Sequence, residues 1–138
     1  MDCAANALSL FDAWERADYD GVMAHLAPNV RVRDNPRAAV LTDSLEIRSW
    51  MESWRIACPD SKAGATVPSA STDSAVVEGV YTGTNTGPLG ELPPTGRAVA
   101  MPFSIVMRFD DAGLINDYSV YYDQVTLLTQ LGHLDVGR

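Results

Sequence analysis

Histidine, cysteine and clustered positive charge are all scarce in this chain, and each scarcity removes a class of chemistry. His25 and His133 are the two histidines, one in a short helical segment and one near the tail. Without paired histidines or an HExxH run, the chain offers no catalytic metal site, and no spacing sets either histidine beside a serine as a triad would need. Cys3 and Cys58 form no CxxC. They read as reduced thiols, Cys58 as a small core residue at a helix end. GxGxxG and P-loop signatures are also missing, so no nucleotide cofactor is expected. Ten Lys and Arg stand against eighteen Asp and Glu, a formal net charge of −8. The basic residues are scattered rather than striped, so a phosphate backbone would be repelled and nucleic acid is not an expected partner. No apolar run approaches the roughly 20 residues of a membrane span. The N-terminal MDCAANALSL lacks a basic leader ahead of a continuous apolar core. These absences predict a soluble cytoplasmic protein with neither membrane segment nor metal.

What is present is a globular composition. Hydrophobic residues make up 46% of 138 positions, enough for one domain over 1–138 with a core that needs no disulfide. Helical patterns come first and strand patterns last, which predicts an α+β fold. Residues Ala4–Ala17 put Ala4, Leu8, Phe11 and Trp14 on one helical face. Asp18 can cap a short helix over Asp20–Leu26, stopped by Pro28, and Val30–Arg33 reads as a brief strand ending at Asp34-Asn35-Pro36. After a loop over 36–43, Asp43 and Glu46 make a capping box that opens a helix over Ser44–Ala57. Strands are expected over Lys62–Ser69, Ser74–Thr84, Arg97–Phe109 and Leu114–Asp123, with a short closing helix over Gln124–Leu131. The proline- and glycine-rich stretch Gly87–Gly96 is too irregular for a tight hairpin.

The last hairpin carries the candidate chemistry, because a carboxylate on an apolar face is a plausible proton-transfer group. Asp111-Ala112-Gly113 suits a three-residue loop with glycine in the left-handed position. That loop pairs Asp110 with Leu114, Met107 with Asp117, Ile105 with Ser119, Phe103 with Tyr121 and Met101 with Asp123. Asp117, Ser119, Tyr121 and Asp123 then share the apolar face of Met101, Phe103, Ile105 and Met107. A loop one residue longer or shorter turns Asn116, Tyr118, Val120 and Tyr122 inward instead. Asp123 is the first candidate acid or base, and it also sits where it could cap the final helix. Asp117 is the second and Asp34 the third, each with an ordinary role as strand or turn residue beside it. Tyr81, Tyr118 and Tyr121 could donate to an oxyanion. Trp14, Trp50 and Trp54, with Phe103, could line a pocket for flat ligands or simply fill the core.

The segments Trp54–Asp60 (WRIACPD), Gly83–Gly87 (GTNTG), Pro93–Arg97 (PPTGR) and Tyr121–Asp123 (YYD), with the ending Gln130-Leu131-Gly132, occur in an order that resembles the SnoaL-like polyketide cyclases of the nuclear-transport-factor-two superfamily. The resemblance runs from Arg48 to Gly132. It implies a cone in which a curved antiparallel sheet wraps the N-terminal helices, a cystatin-like α+β barrel with an internal pocket, commonly dimeric through the sheet. It also implies cofactor-free, aldol-type ring closure of a polyketide-like small molecule, with a pocket carboxylate as acid and base. Asp123 falls at the family's aspartate in the YYD element, and Asp34 near a point where several superfamily enzymes carry an acid. Many relatives have histidine where this chain has Asn85, so the expected role of Asn85 is orientation of the substrate or support of an oxyanion. Epoxide opening or isomerisation in the same pocket and non-catalytic binding or partnering are the alternatives, since the superfamily also contains epoxide hydrolases, ketosteroid isomerases, dehydratases, partner proteins of hydroxylases and non-catalytic binders.

Overall fold

The computed structural model describes residues 1–135. Helix α1 (Cys3–Glu15) is capped by Asp2, whose carboxylate accepts from the Ala5 amide, and α2 (Tyr19–Met23) is capped in the same way by Asp18. The buried side of α1 is Cys3, Ala7, Leu10, Phe11 and Trp14, while Leu8 is exposed. The expected stripe therefore holds at Phe11 and Trp14 but is rotated at its start, where Cys3 and Ala7 turn inward in place of Ala4 and Leu8.

Strand β1 (Leu26–Asp34) is longer than the expected Val30–Arg33. It absorbs Pro28, the residue expected to stop a helix, and its pairing is irregular between Leu26 and Arg31 because proline cannot donate to a ladder. A 3-10 turn at Asn35–Arg37 and Ala38 at φ +53° return the chain as β2 (Ala39–Leu41), a short strand inside the expected loop. Helix α3 (Ser44–Ala57) begins where the capping box places it, with Asp43 accepting from the Glu46 amide at 3.1 Å. Then come β3 (Thr66–Ala70), β4 (Ser74–Thr84), β5 (Ala98–Phe109), β6 (Ile115–Tyr122) and α4 (Gln124–Gln130).

The six strands form one sheet in the order β2-β1-β6-β5-β4-β3. All neighbours are antiparallel except β1 and β6, which run parallel. The sheet curves without closing, so the expected α+β cone is present as an open one. Its concave face holds Val77, Met101, Ile105, Met107, Tyr118 and Val120 in one core cluster with α1 and α3. No helix among the described residues is long and apolar enough to cross a membrane.

The register of the last hairpin differs from the expected one, and the cause is a bulge rather than the loop. The turn is as read: the Asp110 amide donates to Leu114 O at 2.8 Å, and Gly113 takes φ +80°, a left-handed value that glycine adopts without strain. Phe109 pairs with Ile115, but Arg108 pairs with Asp117, so Asn116 is an extra residue on β6. Beyond it Met107 faces Tyr118, Ile105 faces Val120 and Phe103 faces Tyr122. The inward set is Tyr118, Val120 and Tyr122; Asp117, Ser119 and Tyr121 go to the outer face.

Candidate active site

The hollow of the cone is a cavity with an empty volume of about 470 Å³, its mouth included. Helix α1 contributes Phe11 and Trp14, and α3 contributes Trp50, Met51 and Trp54 from positions one helical turn apart. The sheet supplies Tyr81 from β4, Met101, Phe103 and Ile105 from β5, and Tyr118, Val120 and Tyr122 from β6. Aromatic rings meet edge to face around Trp54, whose centroid is 5.3 Å from Tyr81 and 5.3 Å from Tyr122. Trp50 stands at right angles between Trp54 and Tyr118, at 6.2 and 6.0 Å. Phe11 stacks on Phe103 at 6.1 Å. Such walls suit a flat, apolar ligand.

One carboxylate belongs to this wall. Asp34 ends β1 on its inward side, in phase with Val30 and Val32, and is 1% exposed. Its Oδ1 accepts from the Tyr122 hydroxyl at 2.8 Å and its Oδ2 from Trp50 Nε1 at 3.0 Å. Both donors line the cavity, so Asp34 lies directly behind the wall they form. Arg37, three residues on, brings Nε to 3.5 Å from Oδ2 and its guanidinium to 5.9 Å from the centre of the Trp54 ring. Asn35 Nδ2 donates to Val120 O at 3.2 Å and ties the start of the turn to β6. Burial, then the charge of Asp34 and the hydrogen bond to it, push the Tyr122 phenol well above its ordinary value, so it remains protonated.

The other expected site residues lie elsewhere or do other work. Asp123 is exposed and caps α4, accepting from the Val125 and Thr126 amides at 2.9 and 3.3 Å and from Thr126 Oγ1 at 2.9 Å. The Thr126 contacts hold its carboxyl below the ordinary value of 3.8, so it is poorly suited to carry a proton. Asp117 is on the outer face, 3.4 Å from Arg33 Nε, and accepts from Ser119 Oγ at 3.1 Å. Tyr121 is 49% exposed on that face. The outward placement of Asp117 and Tyr121 follows from the Asn116 bulge.

Asn85 is fully buried but does not line the cavity. Its Nδ2 donates to Ala57 O and Gly87 O at 3.1 and 3.0 Å, and its Oδ1 accepts from the Thr95 amide and hydroxyl at 2.9 and 3.3 Å. With every polar valence used, it clamps the Gly87–Gly96 loop to the end of α3 and has nothing left for a substrate. Gly87 fits there because a Cβ would stand 1.9 Å from Ile56 O.

The three tryptophans, Phe103, Tyr81 and Tyr118 line the cavity. Tyr81 spends its hydroxyl on Trp54 O, and burial raises its phenol strongly. Trp14 Nε1 likewise donates to Met51 O at 2.9 Å. Tyr122 and Arg37 are site residues that sequence reasoning misses. The second hairpin register names Tyr122, and the i, i+3 spacing from Asp34 is the signal for Arg37.

Comparison with known proteins agrees with this geometry. No curated protein matches the chain. AclR from Streptomyces galilaeus, a provisionally assigned hydroxylase, superposes with TM-score 0.80 at 27% identity, covering 99% of this chain and 85% of its own. A provisionally assigned polyketide cyclase from Xanthomonas campestris pv. campestris gives 0.82 at 19% identity, covering 94% and 96%. A SnoaL-like polyketide cyclase, also provisionally assigned, from Jannaschia sp. CCS1 gives 0.82 at 19%, covering 96% and 93%. The sequence profile of the SnoaL-like polyketide cyclases matches residues 6–131. With nearly its whole length inside that profile and its helices laid in an open cone, the chain belongs to the SnoaL-like polyketide cyclase family.

Proposed function

We propose that this protein is a cofactor-independent acid–base enzyme that closes a ring, by aldol addition, in a polyketide or related polycyclic intermediate. The observation that carries this reading is the Asp34–Tyr122 hydrogen bond at the wall of an aromatic cavity. The phenol donates its hydrogen bond to the carboxylate and keeps its proton at rest, so its oxygen has lone pairs to offer the substrate. As the phenol proton passes to Asp34 Oδ1, Tyr122 Oη takes a proton from the carbon beside a substrate carbonyl. The freed electron pair makes an enolate, which attacks a second carbonyl carbon of the same molecule and forms the new C–C bond. The resulting alkoxide recovers its proton along the same path in reverse. The tryptophan walls hold the two carbons together, and positioning of this kind is worth up to roughly 7–11 kcal/mol.

The test is turnover of an aromatic polyketide substrate by Asp34→Asn and Tyr122→Phe. Both are expected to lose most activity, whereas Asp123→Asn and Asp117→Asn keep it. Near wild-type rates in the first two remove the mechanism. A second reading, hydroxylation of the same substrate class, is favoured by the 27% identity to AclR. Isotopic labelling separates the alternatives: oxygen from dioxygen in the product supports hydroxylation, oxygen from water supports epoxide opening, and no new oxygen supports ring closure. Pairing of two copies through the outer sheet face belongs to the same proposal, supported by Val80 and Tyr121, both more than 40% exposed there.

A further inference from the structure

Three phenols line the cavity, and two are committed. Tyr81 donates to Trp54 O and Tyr122 to Asp34 Oδ1. The third, Tyr118, is 3% exposed as a residue, and its hydroxyl makes no hydrogen bond to the described residues and is not one of the sealed unpaired side-chain atoms, so it opens onto the cavity it lines. Its ring is not free to search for one. It is held edge-on against Trp50 at 6.0 Å and 83°, and its strand position is fixed between Val32 of β1 and Met107 of β5. Neither neighbour carries a polar side chain. Burial also holds the phenol protonated, far above the pH range in which proteins work. An uncharged donor that opens onto an apolar cavity with no protein partner is available to whatever enters there, and covering it with a ligand that cannot accept its proton is costly.

Given the reading above, we infer that Tyr118 is the specificity residue of the cavity: its hydroxyl donates to an uncharged carbonyl oxygen, of the ketone or quinone kind, on a flat aromatic ligand. Tyr118 and Tyr122 are four residues apart on one strand, so their backbones are separated by roughly 13 Å. On this assignment Tyr118 takes a carbonyl other than the one beside which Asp34 and Tyr122 act. The ligand carries oxygen functions at two places, and the second is read by Tyr118. A ring system of the same shape without that oxygen leaves the hydroxyl unpaired and is discriminated against.

The experiment compares 9,10-anthraquinone with anthracene, two planar tricycles that differ in carbonyl groups, by quenching of tryptophan fluorescence. Wild-type protein is expected to bind the quinone roughly tenfold more tightly than the hydrocarbon. Tyr118→Phe keeps the ring and its contact with Trp50, and is expected to bind both alike. The infrared carbonyl band of bound anthraquinone should fall in frequency in the wild type and return toward its unbonded position in Tyr118→Phe. Equal affinities in the wild type, no binding of either probe, or an unchanged carbonyl band in the variant overturns the inference. These binding readouts do not depend on turnover. Failure of the catalytic pair would appear in Asp34→Asn and Tyr122→Phe while the quinone preference persists.

Discussion

The Tyr122 hydroxyl donates to Asp34 Oδ1 at 2.8 Å, although the two residues are 88 positions apart. The parallel pairing of β1 with β6 brings them together, with Asp34 opposite Val120 and Tyr122 two residues further along the same face. Trp50 Nε1 reaches the other carboxylate oxygen, so a helix and two strands converge on one buried acid.

Removing either member of that pair has separable consequences. Tyr122→Phe leaves Asp34 bonded to Trp50 and close to Arg37, so the fold is kept while kcat/KM falls by roughly 10²–10⁴, the usual contribution of a positioned proton-transfer group. Asp34→Ala also strands the Trp50 and Tyr122 donors, at a cost of about 1–3 kcal/mol for a buried group left unpaired. Urea unfolding of both variants beside their kinetics checks the separation.

Asn85→Ala is expected to act on stability. It leaves Gly87 O and the Thr95 amide without their partner, while Ala57 O keeps the Gly87 amide, at a cost of about 1–3 kcal/mol. The folded fraction should retain its ligand affinity. A large loss of affinity at unchanged urea midpoint would return Asn85 to the binding site.

Asp123→Ala should lower thermal stability near neutral pH and leave turnover intact. The cap bonds from Thr126 and Val125 hold the carboxyl below its ordinary 3.8 in the folded chain. A depressed acid contributes stability that is fully present above its unfolded value and is lost as pH falls through the folded one. The difference between wild type and variant, followed by melting temperature, should therefore be steady above pH 5 or so and shrink in stronger acid.

Alkaline titration tests the enclosed phenols. Tyr81, Tyr118 and Tyr122 are all raised from an ordinary 10.0, chiefly by burial. Above pH 10 the unfolded chain gives up these protons and the folded chain keeps them, so stability declines as pH rises. Absorbance near 295 nm, a wavelength of about the tyrosinate maximum, should show these three ionising only together with unfolding.

Deleting Asn116 tests the origin of the register. Without the bulge, the three-residue loop would carry Asp117, Ser119 and Tyr121 onto the concave face and turn Tyr118, Val120 and Tyr122 out. The expected result is loss of cooperative unfolding and of the near-ultraviolet aromatic signal. A native-like spectrum would show that the strand can slip back.

Elements whose signals are local are legible in the amino-acid order alone. Asp43 and Glu46 mark the start of α3, the spacing of Trp50, Met51 and Trp54 marks its inner face, and alternation along β5 marks Met101, Phe103, Ile105 and Met107. Gly113 is legible as the turn glycine. The proposed catalytic residues are less so. Asp34 ranks third among three aspartates, because a turn residue before Asn-Pro looks alike whether it faces water or a core.

The sequence by itself determined the order of the helices, the caps at Asp18 and Asp43, the strand period of β5 and the family, since each depends on neighbours within a few positions or on the order of short motifs. Only the tertiary structure decided which side of β6 faces the cavity, where Asp34 finds its donors, and that Asn85 is consumed by its own loop. One bulged residue reverses a whole strand face, and a polar side chain's task depends on partners that distant segments bring to it.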